Sequence, residues 1–154
     1  MVAGSDSAGV ATLLASVTGR DLTYSGLFNV VAAEGTIPPN NPELLRKSWT
    51  DFAAAGAHAG LHGLLALRGD RVEGEMRLYD LTSPEQRLIA SKTFTVSATQ
   101  PRRLAHKIAD EVVLQFTGEA GIADTRIAYV VGRPGAKEIV MADYDGVGVA
   151  PTPS

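Results

Sequence analysis

An alternation of apolar and charged residues in the middle of the chain leaves few choices of fold. In the stretch RVEGEMRLYDL, from Arg71 to Leu81, charged residues alternate with apolar residues or glycine as far as Leu78. A period of two is typical of a β-strand whose sheet has one buried face and one solvated face. The buried set would be Val72, Gly74, Met76 and Leu78, and the solvated set Arg71, Glu73, Glu75 and Arg77.

A tight hairpin is expected immediately before this strand. Gly69-Asp70 follows the leucine-rich stretch GLHGLLALR, Gly60 to Arg68, and is a favourable pair for a two-residue β-turn. Because leucine dominates it, we expect the Gly60–Arg68 strand to lie at the centre of the sheet. The tripeptide Arg-Gly-Asp at Arg68–Asp70 also matches an adhesion motif, but the hairpin needs Gly-Asp here anyway, so we interpret it as a turn.

Three stretches have the apolar spacing of helices. The first extends from about Asp6 to Ser25, with Gly26 as its stop. The second begins at Asn41-Pro42, an N-cap followed by proline at the first helical position, and ends at Gly56. The third begins near Pro101 and ends at Gly118. Their apolar stripes are Val10, Leu13, Leu14 and Val17 in the first, Leu45, Trp49 and Phe52 in the second, and Leu104, Ile108, Val112 and Phe116 in the third.

Two further strands complete the predicted order. Leu27–Val31 (LFNVV) closely follows the first helix, and Arg87–Ser97 alternates in the same way as the strand at Arg71. The order is helix, strand, helix, three strands, helix. It predicts an α+β fold of two layers, with helices packed on one face of a mostly antiparallel sheet.

The end of the chain predicts a separate β-hairpin. Arg126–Val131 and Glu138–Tyr144 are rich in β-branched and aromatic residues and flank a turn that contains Gly and Pro. A lone hairpin is marginal in water and needs a sheet to join. Only VGVAPTPS follows, and it gives no sign of a further strand. Gly121–Asp124 is predicted to be the linker to this hairpin.

Composition narrows the classes of partner. The net charge of −3 gives no reason to expect nucleic acid or an anionic membrane surface. The absence of cysteine excludes disulfides, thiol catalysis and zinc-thiolate sites. No apolar run is long enough to span a bilayer, and the first ten residues have no basic region followed by an apolar one, as a secretory signal would.

Three groups of residues are candidates for metal or anion binding, and each has a simpler explanation. His58 and His62 are four apart, but Gly56, Gly60 and Gly63 argue against the helix that a zinc pair needs, and His106 is distant. DYDG at Asp143–Gly146 resembles the start of a calcium loop without its downstream ligands, so a β-turn is favoured. GSDSAG at Gly4–Gly9 lacks the phosphate-loop patterns and is interpreted as a helix cap.

No catalytic set emerges. Glu73 and Glu75 would share a strand face and could act as an acid and a base, but Arg71 and Arg77 flank them, which favours a solvated charged face. There is no GxSxG motif and no plausible Ser/His/Asp set. We therefore predict a protein that is not an enzyme, with no catalytic, cofactor-binding or metal-binding residues and no cofactor.

Several stretches together resemble the N-terminal region of the TolB family, periplasmic β-propeller components of the Tol–Pal envelope system of Gram-negative bacteria. They are LTYSGLFNVV (22–31), SWTDFAAAGAHAGLHGLLAL (48–67), MRLYDLTS (76–83), HKIADEVVLQFTGEAGIADTRIAYVV (106–131) and ADYDG (142–146). The third helix with FTG leading into TRIAYVV, and DYDG a short distance later, is the most specific part.

The resemblance implies a domain of residues 1–124, with two principal helices on a mixed sheet similar to anticodon-binding-like domains. Residues 125–154 would begin a β-propeller that is truncated here. In the family the propeller binds the lipoprotein Pal, and the extreme mature N-terminus contacts the inner-membrane protein TolA. The family's first strand, before the first helix, is expected to be missing from this chain. The resemblance thus implies a non-enzymatic interaction domain in the periplasm, acting in envelope integrity, outer-membrane constriction at cell division and protein import.

Missing strands would leave sheet edges with unpaired backbone groups. We expect these edges either to pair with another chain or to fold back onto the domain's own sheet. Two other functions stay open: an envelope accessory domain of the secretion- or lipoprotein-associated type, and a small hydrolytic or ligand-binding enzyme that uses Glu73 and Glu75.

Overall fold

The computed structural model describes residues 5–31 and 41–152, with side chains from residue 8 onward. In this part of the chain three helices and two separate antiparallel sheets form an α+β structure. The elements are α1 (Ser5–Tyr24), α2 (Pro42–Ala54), β1 (Ala59–Arg68), β2 (Arg71–Asp80), β3 (Leu88–Ser97), α3 (Pro101–Thr117), β4 (Arg126–Arg133), β5 (Ala136–Asp143) and β6 (Ala150–Pro151).

The first sheet has the strand order β1-β2-β3. Gly69-Asp70 joins β1 to β2 as predicted, and the positive φ of 61° at Gly69, the first turn position, fits a type II′ turn. The prediction that the leucine-rich strand is central is wrong for the described residues, because β2 lies between β1 and β3. Leucines of β1 are instead shared between its two faces: Leu61 and Leu65 pack against the core, and Leu64 lies opposite Glu75.

The buried face of this sheet confirms the alternation in β2. Val72, Met76 and Leu78 are buried, and α1 and α3 cover them. At Gly74 the sheet approaches α3 so closely that an added Cβ would lie 2.7 Å from a methyl carbon of Leu104. The main core therefore lies between β2 and the pair of helices.

The second helix lies on the opposite face of the sheet. Its only buried residue is Trp49, whose ring lies over Gly60 and has its centroid 5.6 Å from that of Tyr79. Gly60 and Tyr79 are register partners on the face away from Met76 and Leu78. Two helices thus share the core face and α2 covers one end of the other face. The predicted N-cap is confirmed, since Asn41 Oδ1 accepts a hydrogen bond of 2.9 Å from the Leu44 N–H.

The prediction of a strand at Leu27–Val31 is wrong within the described residues. This segment has no regular secondary structure and pairs with no described strand. Side-chain packing holds it instead: the Phe28 ring meets the Phe116 ring edge-on at 5.3 Å, and Val30 lies close to Gly19 of α1. The β-branched and aromatic residues that indicated a strand pack against helices instead. Strand propensity reflects side-chain packing and cannot show whether the surface packed against is a helix or a sheet.

The second sheet has the order β4-β5-β6 and contains the predicted hairpin. Pro134-Gly135 forms its turn, with a positive φ of 86° at Gly135. The chain after Tyr144 was not expected to add a strand, and this is wrong: Ala150 and Pro151 pair with Met141 and Val140. Proline is tolerated because β6 is at the edge of the sheet. In the described residues the hairpin does not join the first sheet. Within the same ranges, no helix combines the length and apolar character that a bilayer crossing requires.

Candidate functional site

Five charged or titratable side chains converge where the helical pair meets the turn after β5. We call this cluster the polar junction; it consists of Arg20, Asp21, Arg102, His106 and Asp145. The last turns of α1 supply the first two residues. One turn of α3 supplies Arg102 and His106, which are four apart and so share a helix face. The tight turn Asp143–Gly146 supplies Asp145.

Asp145 connects the second sheet to both helices. Its side chain is fully buried, and Oδ2 accepts a hydrogen bond from Arg102 Nη2, with Arg20 Nη1 at 3.6 Å. The Val147 N–H donates to its Oδ1 at 3.2 Å. Burial alone would raise the pKa of Asp145, but these hydrogen bonds and the positive charge of Arg102 hold it below its usual value. The carboxylate is therefore ionised and pins the turn to α1 and α3.

Asp21 and His106 form a buried pair in the same cluster. His106 Nδ1 lies 2.6 Å from Asp21 Oδ2, and both side chains are almost completely buried. The hydrogen bond to Asp21 raises the pKa of His106 against the opposing effect of burial, and the negative charge of Asp145 adds to the rise. Among the described residues, Asp21 Oδ1, His106 Nε2 and Arg102 Nε have no hydrogen-bond partner. The polar junction thus contains three buried polar atoms that form no hydrogen bond with another described residue.

The next turns of α3 fasten the linker before β4. Asp110 accepts hydrogen bonds from the Ala123 and Asp124 N–H groups at 2.6 and 3.0 Å. Asp124 in turn is bridged to Arg103 at 3.1 Å and to Lys107 at 3.0 Å. Burial would raise the pKa of Asp124, but the hydrogen bonds from Lys107 and Arg103 lower it below its usual value. The same helix therefore holds both the linker before β4 and the turn after β5.

The histidines that were weighed as metal ligands do not come together. His58 precedes β1, His62 lies within it, and His106 is in the polar junction. Burial lowers the pKa of His62, and the positive charge of Arg77, its register partner, adds to this effect. In residues 5–31 and 41–152, no group of three His, Cys, Asp or Glu side chains is placed to hold a metal ion.

DYDG forms the β-turn that the sequence predicted. The Gly146 N–H donates to Asp143 O at 2.8 Å, and Gly146 has a positive φ of 80°. The first aspartate faces Arg126 at 3.7 Å, whereas the second belongs to the polar junction. The motif is thus a turn with a buried carboxylate and not a cation loop.

The remaining candidates are structural in the described residues. Glu75 accepts hydrogen bonds from Arg77 and Ser91, and the one from Arg77 lowers its pKa. Glu73 lies 3.8 Å from Arg68 across the hairpin. The capping segment Gly4–Gly9 lies partly outside the described residues.

The polar junction was not predicted from the sequence, although a signal for it exists. Asp21 follows Leu14, Val17 and Thr18 on the buried stripe of α1, so a charged residue occupies a core-facing position. Such a residue needs a partner, because an unpaired buried charge is costly. Pairing it with His106, 85 residues away, requires the fold.

A family model described as the TolB amino-terminal domain matches residues 2–88 of the chain. This chain belongs to the TolB amino-terminal domain family. The TolB match covers α1, α2, β1, β2 and the start of β3, and ends before α3.

Curated TolB relatives extend the similarity beyond that domain. The Tol-Pal system protein TolB of Roseobacter denitrificans is 33% identical over 148 residues, which is 94% of this chain and 33% of the relative. The TolB of Methylobacillus flagellatus is 36% identical, over 86% of this chain and 30% of the relative. The chain therefore spans about one third of the length of the curated relatives it matches.

A solved TolB structure has the same fold. The crystal structure of TolB from Acinetobacter baumannii superposes with a TM-score of 0.74 at 25% identity, over 92% of this chain and 35% of that one. This coverage cannot be reached without most of α3 and the second sheet. The resemblance to TolB that the sequence indicated is confirmed, together with the α+β fold.

Proposed function

We propose that this chain is a non-enzymatic interaction and scaffold module of a TolB-type component in the periplasm. The observation that carries the proposal is the match to TolB relatives over 94% of the chain, through α3 and the second sheet as well as the amino-terminal domain. A module of the Tol–Pal system would serve envelope integrity, outer-membrane constriction at division and protein import.

The proposed division of the chain is residues 1–124 as the amino-terminal domain and residues 125–154 as the first strands of a β-propeller. The exposed faces of β4 support it. All eight residues of that strand are exposed, among them Ile127, Tyr129, Val130 and Val131. An apolar strand of this kind is expected where further strands or blades cover it.

The proposed partners of the whole protein are Pal, through the propeller, and TolA, through the extreme N-terminus. We assign no binding residue of this chain to either. Its role would be to hold the start of the propeller rigidly against the helical pair. The polar junction supports this role, since Arg20 and Arg102 on two helices meet one carboxylate of the second sheet.

The titratable groups of the junction support a structural role over a hydrolytic one. Asp145 is paired with two arginines and Asp21 with a buried histidine, and each side chain is 0% exposed. A general acid or base must reach a substrate proton within hydrogen-bond distance. Glu75, the other carboxylate considered, is hydrogen-bonded to Arg77 at 2.6 Å on the solvated face.

Disruption of the gene in its host tests the proposed function. We expect release of periplasmic enzymes into the medium, sensitivity to detergent and delayed constriction, all restored by the wild-type gene. As a control, a gene carrying Glu73→Gln and Glu75→Gln should restore the envelope equally well. An intact envelope after disruption, or failure of this double variant despite normal protein levels, would oppose the proposal.

A further inference from the structure

The polar junction contains two buried carboxylates and two arginines, but both arginines face the same carboxylate. Asp145 Oδ2 accepts a hydrogen bond from Arg102 and lies 3.6 Å from Arg20. The side chain of Asp21 is as fully buried, and its one side-chain partner in the described residues is His106, at 2.6 Å. Within this cluster, the charge of Asp21 is therefore balanced only while His106 is protonated.

The charged groups around His106 come from α1, from α3 and from the turn after β5. The hydrogen bond to Asp21 raises the pKa of His106 and burial lowers it, while the charge of Asp145 raises it and that of Arg102 lowers it. Burial in turn raises the pKa of Asp145, whereas Arg102, the Val147 N–H and the charge of His106 lower it. Protonation of His106 and the ionic contacts of Asp145 are therefore coupled.

The other titratable side chains nearby cannot balance Asp21. Asp110 and Tyr144 line a small pocket with it. Asp110 is itself acidic and accepts hydrogen bonds from the linker, and a tyrosine hydroxyl is neutral around pH 7. Lys107, next to the histidine in sequence, is bridged to Asp124 at 3.0 Å. Around neutral pH the charge balance in the described cluster thus depends on the histidine.

Arg102 is the arginine that can change partner. It lies one turn before His106 on the same face of α3, and its Nε is buried without a hydrogen-bond partner among the described residues, as is Asp21 Oδ1. When His106 loses its proton, Asp145 still has Arg20, whereas Asp21 has no cation in the cluster. Redistribution to one arginine per carboxylate is then favoured, because an unbalanced buried charge is costly.

We propose that His106 is a proton-dependent switch that controls how firmly the helices hold the second sheet. While His106 is protonated, it balances Asp21, and Arg102 holds Asp145 and the turn after β5. When His106 loses its proton to solvent, Arg102 moves to Asp21 and the hold on the turn weakens. The switch consists of residues of this chain alone, so it would operate whether or not the protein serves in the Tol–Pal system.

Two NMR measurements on the wild-type chain test the switch. One follows the imidazole of His106 as the pH rises, and the other follows hydrogen-exchange protection factors in residues 143–147, corrected for faster chemical exchange at high pH. Across the imidazole titration, expected above about pH 6.5, protection should fall at least roughly tenfold, as for the loss of one hydrogen bond between charged groups. The Ala123 and Asp124 amides, held by Asp110, are the internal control and should keep their protection.

Variants identify the group that moves. His106→Gln has no charge at any pH and should give a weakly protected turn throughout, as should Arg102→Ala. Adding Asp21→Asn to His106→Gln should restore protection at every pH, because the group that draws Arg102 away is then neutral. A purely structural role of His106 would instead leave this double variant no better protected than the single one. His58→Gln, at an exposed histidine, is the matched control and should behave as the wild type.

Several results would overturn the proposal. They are an imidazole that does not titrate between about pH 5 and pH 9, equal protection of the turn below and above its titration, and a change in protection whose midpoint differs from that of His106. A folded double variant as weakly protected as His106→Gln would overturn it as well. If the variants do not fold, the first three results still decide, because they come from the wild type.

Discussion

At the residue scale, two glycines of the first sheet lie where helices approach the sheet closely. An added Cβ at Gly60 would lie 2.8 Å from the Trp49 ring, and one at Gly74 would lie 2.7 Å from Leu104. At Gly63, in the same strand as Gly60, an added Cβ would meet nothing within 4 Å. The two faces of one strand thus differ in their tolerance of a methyl group.

Gly60→Ala should lower the free energy of unfolding by about 1–3 kcal/mol, the usual cost of overpacking. The indole is rigid, so α2 as a whole must shift. Gly63→Ala is the matched control and should change stability little or raise it slightly, because it removes backbone freedom from the unfolded chain. Urea unfolding of the two variants measures this, and equal stabilities would contradict the close approach of α2.

His106 should make stability depend on pH near neutrality. Its pKa is raised in the folded protein by the hydrogen bond to Asp21, with Asp145 adding and Arg102 opposing. Its contribution is therefore complete below the unfolded pKa, about 6.5, and is lost as the pH rises through the folded pKa. The stability difference between the wild type and His106→Gln should therefore shrink as the pH rises above about 6.5.

The control for this titration is His58→Gln, because His58 is exposed and precedes the first strand. Its unfolding free energy should follow the wild type at every pH. If the unfolding free energy of His106→Gln changes with pH in the same way as that of the wild type, the pair of His106 and Asp21 does not cause the pH dependence.

At the element scale, local chemistry predicted the helices well. The Asn41-Pro42 start of α2 and the Gly118 stop of α3 rest on backbone geometry that neighbouring residues determine, and both are found. The strand prediction failed at Leu27–Val31 and missed β6, because the pairing of a strand depends on whether the fold brings an open sheet edge next to it. Ala150-Pro151 carries no strand propensity and pairs only because β5 has an open edge.

Arg102→Ala should loosen the contact between the helices and the second sheet. It leaves the fully buried Asp145 carboxylate with Arg20, at 3.6 Å, as its one basic partner in the described residues, beside the Val147 N–H. Breaking a buried pair costs about 3–5 kcal/mol, and we expect about 2–4 kcal/mol here because Arg102 is partly exposed. Hydrogen exchange should show lost protection in β5 and in residues 143–147.

Arg126→Ala is the comparison for this variant. It removes a half-exposed contact of 3.7 Å with Asp143 in the same sheet, which should contribute about 0–1 kcal/mol. If the two variants have the same stability and exchange pattern, Asp145 does not hold the second sheet to the helices.

At the scale of the whole molecule, the α+β class followed from the order of elements, and the family from motifs spread over most of the chain. The polar junction could not be predicted from the sequence, because its five residues come from three segments that only the fold brings together. The apolar surface of β4 is also a property of the whole molecule, because nothing in the described residues covers it.

That surface should make the isolated chain self-associate. Ile127, Val130 and Ile139 are between about half and two thirds exposed on paired strands. Light scattering should show a mass that rises with concentration, and Val130→Lys should reduce the rise by placing a charge on the edge strand. Leu44→Lys on α2 is the control, and a constant monomer mass for the wild type would contradict this prediction.

Calorimetry with Pal from the same organism decides whether the chain serves in a Tol–Pal assembly. The protein that carries this chain in its host should bind Pal with one-to-one stoichiometry, and the 154-residue chain alone should give no heat. Binding by the whole protein and not by the chain would place the Pal contact outside these 154 residues, as the proposed scaffold role requires. No binding by the whole, folded protein would contradict a TolB-type function.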